Sequence, residues 1–282
     1  MNGIIVINKP SDWTSHDVVA KLRGILHERR TGHGGTLDPM ATGVLPVFVG
    51  RATRAVEFIE NADKEYIAGI KLGCTTDTQD ITGTVLTTSD VTVTKDDLLA
   101  VMPEFTGDIS QIPPMYSAIK QNGKKLYELA RKGIETERKP RNITIFELEL
   151  LEFDGNEGKL RIVCSKGTYI RTLCHDIGAR LGCGAVMSSL IRTRVGEFRL
   201  ENAVNLEDVS ESKLMAVDSV FANLPECRIN AKQEKKCRNG CEFKLDVQDG
   251  KYRVYSGDGS FLMLGEVKDG VMKTVKSFFE VN

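Results

Sequence analysis

The residues best suited to chemistry lie in one stretch, Gly32-His33-Gly34-Gly35-Thr36-Leu37-Asp38-Pro39-Met40-Ala41-Thr42-Gly43-Val44-Leu45. A single carboxylate, Asp38, stands in its middle, and the proline after it fixes the direction of the chain. The imidazole of His33 comes five residues earlier. The glycines give backbone freedom that neither a helix nor a central strand would want. Such a loop holds up one acid as a candidate nucleophile. The plainer reading is an Asx-turn, in which Asp38 caps its own backbone. A phosphate cradle is a third reading, but no Gly-Lys-Ser/Thr follows the glycines and a central acid would repel phosphate.

The elements that must position this loop are legible on both sides of it. Gly3 to Asn8 is a short apolar strand ending at Lys9-Pro10. Thr14-Ser15-His16-Asp17 is a capping box, and Val18, Val19, Leu22, Ile25 and Leu26 form one apolar helical face behind it. His16 and His27 have no partner in the sequence and read as solvated helix residues. After Gly43, Val44 to Val49 reads as a buried strand, and Arg51 to Ile59 as a short helix. Lys64 to Leu72 alternates polar and apolar residues with period two, a half-buried strand that carries Tyr66. Thr94 caps a further helix. Lys124 to Lys132 reads as a helix stopped by Gly133. Ile143 to Phe153 and Lys159 to Ser165 are paired strands. They lead into a helix with Thr168 as N-cap and Ile170, Leu173, Ile177 and Leu181 on one face, ended by Gly182. Arg171 and Tyr169 fall in its first turn, where the helix dipole disfavours a cation, so Arg171 calls for a carboxylate partner elsewhere.

Several of these segments together resemble the TruB family of tRNA pseudouridine synthases. The loop matches that family's G-H-x-G-x-L-D-P-x-A-T-G-x-L motif, in which the aspartate is essential. The opening is similar to K-P-x-G-x-T-S, with Asp12 where the pattern has glycine. Thr76 to Gly83 resembles T-D-T-x-D-x-x-G, and Tyr116 to Arg131 resembles Y-S-A-x-K-x-x-G-x-x-L-Y-x-x-A-R. Leu190-Ile191-Arg192-Thr193 with Gly196-Glu197-Phe198 is similar to the last motif of the catalytic domain. The resemblance implies Asp38, Tyr66 and Arg171 as catalytic residues, with Arg171 the partner of Asp38. It implies Lys9, His33, Asp80, Lys120, Lys124, Lys125, Arg131, Tyr169 and Leu190 as substrate-binding residues. Tyr66 would stack on the uracil and help move the C5 proton, Leu190 would lie against the base, and His33 would hold the disrupted RNA. The implied substrate is the uridine at position 55 in the T arm of tRNA.

Composition sets outer limits. The chain has 282 residues, 41% hydrophobic and 27% charged, with a net charge of -1, so any nucleic-acid surface must be local. Residues 119–141 supply one: Lys120, Lys124, Lys125, Arg131, Lys132, Arg138, Lys139 and Arg141 stand against three acids, with Tyr116 and Tyr127 interleaved. The seven cysteines and the lack of a signal peptide are expected of reduced thiols in a cytoplasmic protein, and no apolar run reaches the roughly 18 residues of a membrane span. Cys237-x-x-x-Cys241 has no partner pair for a zinc site, and Asp77 with Asp80 lacks the final glutamate of a calcium loop.

The expected fold is a mixed α/β (α+β) catalytic domain over residues 1–224, built on a largely antiparallel sheet, with a tRNA-contacting segment at about 111–141. Residues 225–282 read as a small β-rich domain with glycine turns, similar to the PUA-type RNA-binding module. Isomerising uridine breaks the C1′–N1 bond and rejoins the ring through C5. Nothing is exchanged with a second molecule, so no cofactor or metal is expected, nor an obligate protein partner. The alternative is a tRNA-binding or RNA-folding protein that uses the same basic surface without chemistry.

Overall fold

The structure, a computed structural model, describes residues 1–121 and 123–279. The chain opens with β1 (Gly3–Lys9) and α1 (Ser15–Leu26), whose Thr14–Asp17 capping box forms as expected. Next come β2 (Thr31–His33) and β3 (Thr42–Val49), with the Asp38 loop between them. The expected 51–59 helix is divided: a 3-10 turn over Gly50–Ala55 runs into α2 (Val56–Glu60). Then follow β4 (Lys64–Leu72), the hairpin β5 (Cys74–Thr76) and β6 (Val85–Thr88), α3 (Lys95–Val101) and β7 (Gly107–Gln111).

The basic segment is an excursion from the sheet, with β8 (Lys120–Gln121), β9 (Lys124–Lys125) and α4 (Leu126–Ala130). The helix expected from Lys124 is therefore a single turn preceded by a two-stranded hairpin. β10 (Arg141–Phe153), β11 (Glu157–Cys164), α5 (Ile170–Leu181), β12 (Ala185–Val195) and β13 (Phe198–Arg199) complete the elements around the larger sheet. Thr168 does not cap α5. Its hydroxyl donates to the carbonyl of Ser165, and the N-cap position is Tyr169, without a side-chain cap. Gly182 ends the helix at φ 82°, as expected.

Nine strands form one mixed, largely antiparallel sheet ordered β1-β3-β12-β4-β11-β10-β7, with β2 on β3 and β13 on β12. The β3–β12 contact is parallel and short, pairing Ile191 with Thr42 and Arg192 with Gly43. α5 packs on the β4–β12 region, burying Leu173 and Ile177 with Ala68, Ile70, Ile162 and Met187. α1 covers Ile5, Ile7, Leu45 and Val47 of β1 and β3.

Residues 226–279 add β14 (Glu226–Arg228), α6 (Ala231–Arg238), β15 (Phe243–Lys244), β16 (Gly250–Tyr255), β17 (Phe261–Lys268) and β18 (Val271–Ser277). The five strands form a second sheet ordered β14-β16-β17-β18-β15 with its own small core. It is fastened to the large domain by an aromatic cluster of Phe221, Phe261 and Phe278 packed with Phe48 and Ile59. Arg54 also donates to the Ser277 hydroxyl at 3.0 Å, and Lys276 pairs with Glu57. No helix among the described residues is long and apolar enough to cross a membrane.

Candidate active site

Asp38 lies between β2 and β3, and Arg171 reaches it from the start of α5. The Arg171 Nε is 2.9 Å from Asp38 Oδ2, and Nη2 donates to Oδ1 at 3.3 Å, a two-point contact that aims the carboxylate as well as balancing it. The same guanidinium donates to the carbonyls of Thr78 and Tyr116 at 2.9 and 2.8 Å, and Nη1 lies 3.5 Å from Asp80 Oδ2. The first-turn cation therefore has two carboxylates and two carbonyls around it, which explains its tolerance at that end of the helix. The two acids differ in setting. Asp38 keeps 38% of its side chain exposed, while Asp80 keeps 7%. Asp80 Oδ1 also accepts from the Thr78 hydroxyl and from the Thr82 hydroxyl and N–H. So Asp38 stands on the exposed side of the arginine and Asp80 on its enclosed side.

Tyr66 is on β4 with its side chain in the core-facing row, beside Leu37, Ile170 and Leu190. Burial pushes the pKa of its hydroxyl upward and holds it in the neutral form, opposed by the nearby Arg192 guanidinium. Leu190 pairs with Ala68 across β4 and β12. Tyr169 is half-buried, its main chain gripped by the buried Gln111 amide, which donates to the Tyr169 carbonyl at 3.3 Å and accepts its N–H at 3.1 Å. Burial raises the Tyr169 hydroxyl as well. Asp38, Tyr66, Arg171, Tyr169 and Leu190 thus meet in one place.

Lys9 and His33 occupy different ground. Lys9 is fully buried, and its ammonium donates to the carbonyls of Pro10, Trp13 and Pro39 at 2.8, 2.6 and 3.0 Å. It ties the opening strand to the residue after Asp38 and has no open path to a substrate phosphate. Burial pulls it down to about 8, with Asp12 and Asp38 pulling the other way. His33 meets His16 edge-on at 5.3 Å, so His16 is a neighbour of the loop as well as a helix residue. Burial, followed by His16 and Arg192, brings the His33 imidazole down to about 4. Asp12 adopts φ 64°, the left-handed backbone that glycine favours, and its N–H donates to Pro39 at 2.9 Å. The turn therefore keeps its shape with aspartate in place of glycine.

The basic residues sit apart on the 112–140 excursion, which touches the site through the Tyr116 carbonyl on Arg171. Lys120, Lys124 and Arg131 are exposed. Lys125 and Arg131 lie 5.3 and 5.4 Å from the centre of the Tyr127 ring, which holds both cations near one surface.

Residues 23–170 match the profile described as TruB family pseudouridylate synthase (N terminal domain), more than half of the chain. The chain belongs to the TruB family. Residues 171–224 match the description tRNA pseudouridylate synthase B C-terminal domain. Its relatives include the tRNA pseudouridine synthase B of Clostridium kluyveri, 42% identical with 99% of this chain and 100% of that protein covered. That of Francisella philomiragia is 45% identical, over 99% of this chain and 95% of that protein. Among solved structures, the chain is similar to one in a Cbf5-Nop10-Gar1 complex, at TM-score 0.74 and 29% identity, over 99% of this chain and 85% of that one. It is also similar to a chain from an H/ACA RNP bound to a substrate RNA containing 2'-deoxyuridine, at TM-score 0.72 and 27% identity, over 99% and 86%.

Arg192 and Gln111 are two further buried residues of this site to which the sequence reading gave no role. Arg192 does carry a sequence signal. Arg192 lies two residues beyond Leu190 on a strand, and so on the same face.

Proposed function

We propose that this protein isomerises uridine to pseudouridine in tRNA, with the T-arm uridine at position 55 as its target. The observation that carries the reading is the carboxylate of Asp38, held from two points by a buried arginine and left open on its other side. A purely RNA-binding protein has no use for such an acid.

In this reading the uridine is flipped from the folded arm into the site, at a cost of about a few kcal/mol. Asp38 acts as the carboxylate that starts cleavage of the C1′–N1 bond, and Arg171 balances its charge and aims it. Asp80 acts from behind, by fixing Arg171, and Lys9 by fixing the loop. Leu190 and Tyr169 close the apolar side around the base. Tyr66 stacks on the uracil, and its hydroxyl helps relay the proton away from C5 once C1′–C5 has formed, while N1 gains a proton. His33 supports the RNA from which the base has left. Lys120, Lys124, Lys125 and Arg131 contact phosphates and set the register of the arm. Residues 1–224 form the catalytic domain, and residues 225–282 act as a PUA-like RNA-binding module in a cytoplasmic enzyme.

The test is incubation with an unmodified tRNA transcript followed by mapping of pseudouridine. The modification is expected at position 55 alone, and Asp38→Asn is expected to abolish it with tRNA affinity kept within about tenfold. Modification elsewhere would refute the T-arm assignment, and turnover by Asp38→Asn would refute the role of Asp38.

A further inference from the structure

Arg192 is the largest fully buried side chain near the site, at 1% exposure, and it has no ion pair with a carboxylate among the described residues. Its Nε donates to the Val44 carbonyl at 2.8 Å, Nη1 to Thr36 at 3.3 Å and Nη2 to Gly35 at 3.0 Å. These carbonyls lie on both sides of Asp38 in sequence. The main chain adds a further tie, because Arg192 pairs with Gly43, where φ is 99° and any Cβ would collide with the Arg192 carbonyl oxygen. Across β4 the partner of Arg192 is Tyr66. The guanidinium therefore holds the acid's loop, while the main chain of the same residue lies against the tyrosine's strand.

A neutral side chain could hold carbonyls without the cost of burying a charge. A guanidinium cannot shed its proton at ordinary pH, so the positive charge stays in the site. Its neighbours register it: Lys9, His33 and Lys64 are each pushed toward their neutral forms by it. Tyr66 is faced by Arg192 from β12, Cys164 from β11 and Asp38 from the loop, and Arg192 is the cation among them.

We propose that Arg192 is a positioning residue for the isomerisation. Its guanidinium grips the carbonyls on both sides of Asp38 and so sets where the acid stands. The proposal rests on the isomerase reading above.

The test compares wild type, Arg192→Lys and Arg192→Gln in single turnover on an unmodified tRNA transcript, with enzyme in excess, alongside tRNA affinity. Arg192→Gln is expected to slow the reaction by about 10²–10³-fold while tRNA affinity stays within about threefold. Arg192→Lys keeps the charge but loses the planar fork. It is expected to recover part of the rate, losing only about tenfold. A Gln variant within about threefold of wild type overturns the proposal. So do equal losses in both variants, or a rate loss matched by the loss of affinity, which would make Arg192 a structural tie only.

Should Arg192→Gln fail to fold, the Lys variant decides alone: a rate within about twofold of wild type, or an equal fall in affinity, refutes the proposal. Wild type that makes no pseudouridine would instead overturn the isomerase reading itself.

Discussion

The two carboxylates around Arg171 should separate stability from chemistry. Asp80 is almost fully enclosed, and its removal by Asp80→Ala strands one N–H of a buried arginine together with the Thr78 and Thr82 donors. Breaking a buried pair costs about 3–5 kcal/mol. The 3.5 Å ion-pair distance and the exposure of Thr82, whose donors can turn to water, favour a loss of about 2–3 kcal/mol. Asp38, with 38% of its side chain in solvent, belongs to the screened class worth about 0–1 kcal/mol. For a chain near this size each kcal/mol moves the melting temperature by about 2–4 °C. Asp80→Ala should therefore melt roughly 4–12 °C below wild type, and Asp38→Ala within roughly 4 °C of it. Circular dichroism melting gives the order, and single-turnover pseudouridine formation gives the other half. Asp38→Ala should be inactive though stable, and Asp80→Ala slowed though not abolished. Equal melting losses, or a larger one for Asp38→Ala, would refute the assignment of Asp80 to the supporting side of the arginine.

Tyr66→Phe should lose about 10²–10⁴-fold in single-turnover rate with affinity intact if the hydroxyl moves the C5 proton, whereas near wild-type rates would leave the ring as a stacking platform only. Neutralising Lys120, Lys124 and Lys132, all exposed on the excursion, should weaken tRNA binding and lower the slope of log affinity against log salt by up to roughly 2–3, with chemistry on bound tRNA little changed. A collapse of both together would place these lysines in the active site. His33 is held neutral in the folded protein down to about pH 4, against 6.5 when free. The unfolded chain therefore binds its proton first, and stability falls as pH drops from about 6.5 to about 4. His33→Asn should flatten that part of a pH series of melting temperatures, and an unchanged slope would show that His33 does not set it.

The sequence disclosed most of this where a local rule decides the outcome. Period two announced β4, Thr14 and Thr94 announced their capping boxes, and Gly182 announced the end of α5. Boundaries failed where tertiary contacts outbid local preference. Thr168 has a good capping side chain, yet the chain is drawn by the Gln111 grip on Tyr169, and the helix begins later. The partnership of Asp38 and Arg171, 133 residues apart, came through resemblance to a family, since no spacing rule reaches that far. Lys9 entered through resemblance as a substrate-binding residue, and only the fold reveals the three carbonyls closing over its ammonium. Arg192 was obscured by its neighbours, because Thr193 and Arg194 make the strand's end look solvated.

The short parallel contact between β3 and β12 has a consequence for how the enzyme comes into being. β3 ends at Val49 and β12 begins at Ala185, so the central strand that seats the acid's loop is added after most of the sheet has been synthesised. Pairings this distant close slowly, because the loop entropy must be spent before the contacts form. A nascent chain can build α1 and the β1–β3 pair early, but it cannot complete the catalytic cleft until α5 and β12 have emerged. Activity should therefore appear in one late step of folding, and refolding monitored by pseudouridine formation should lag behind the recovery of helix signal.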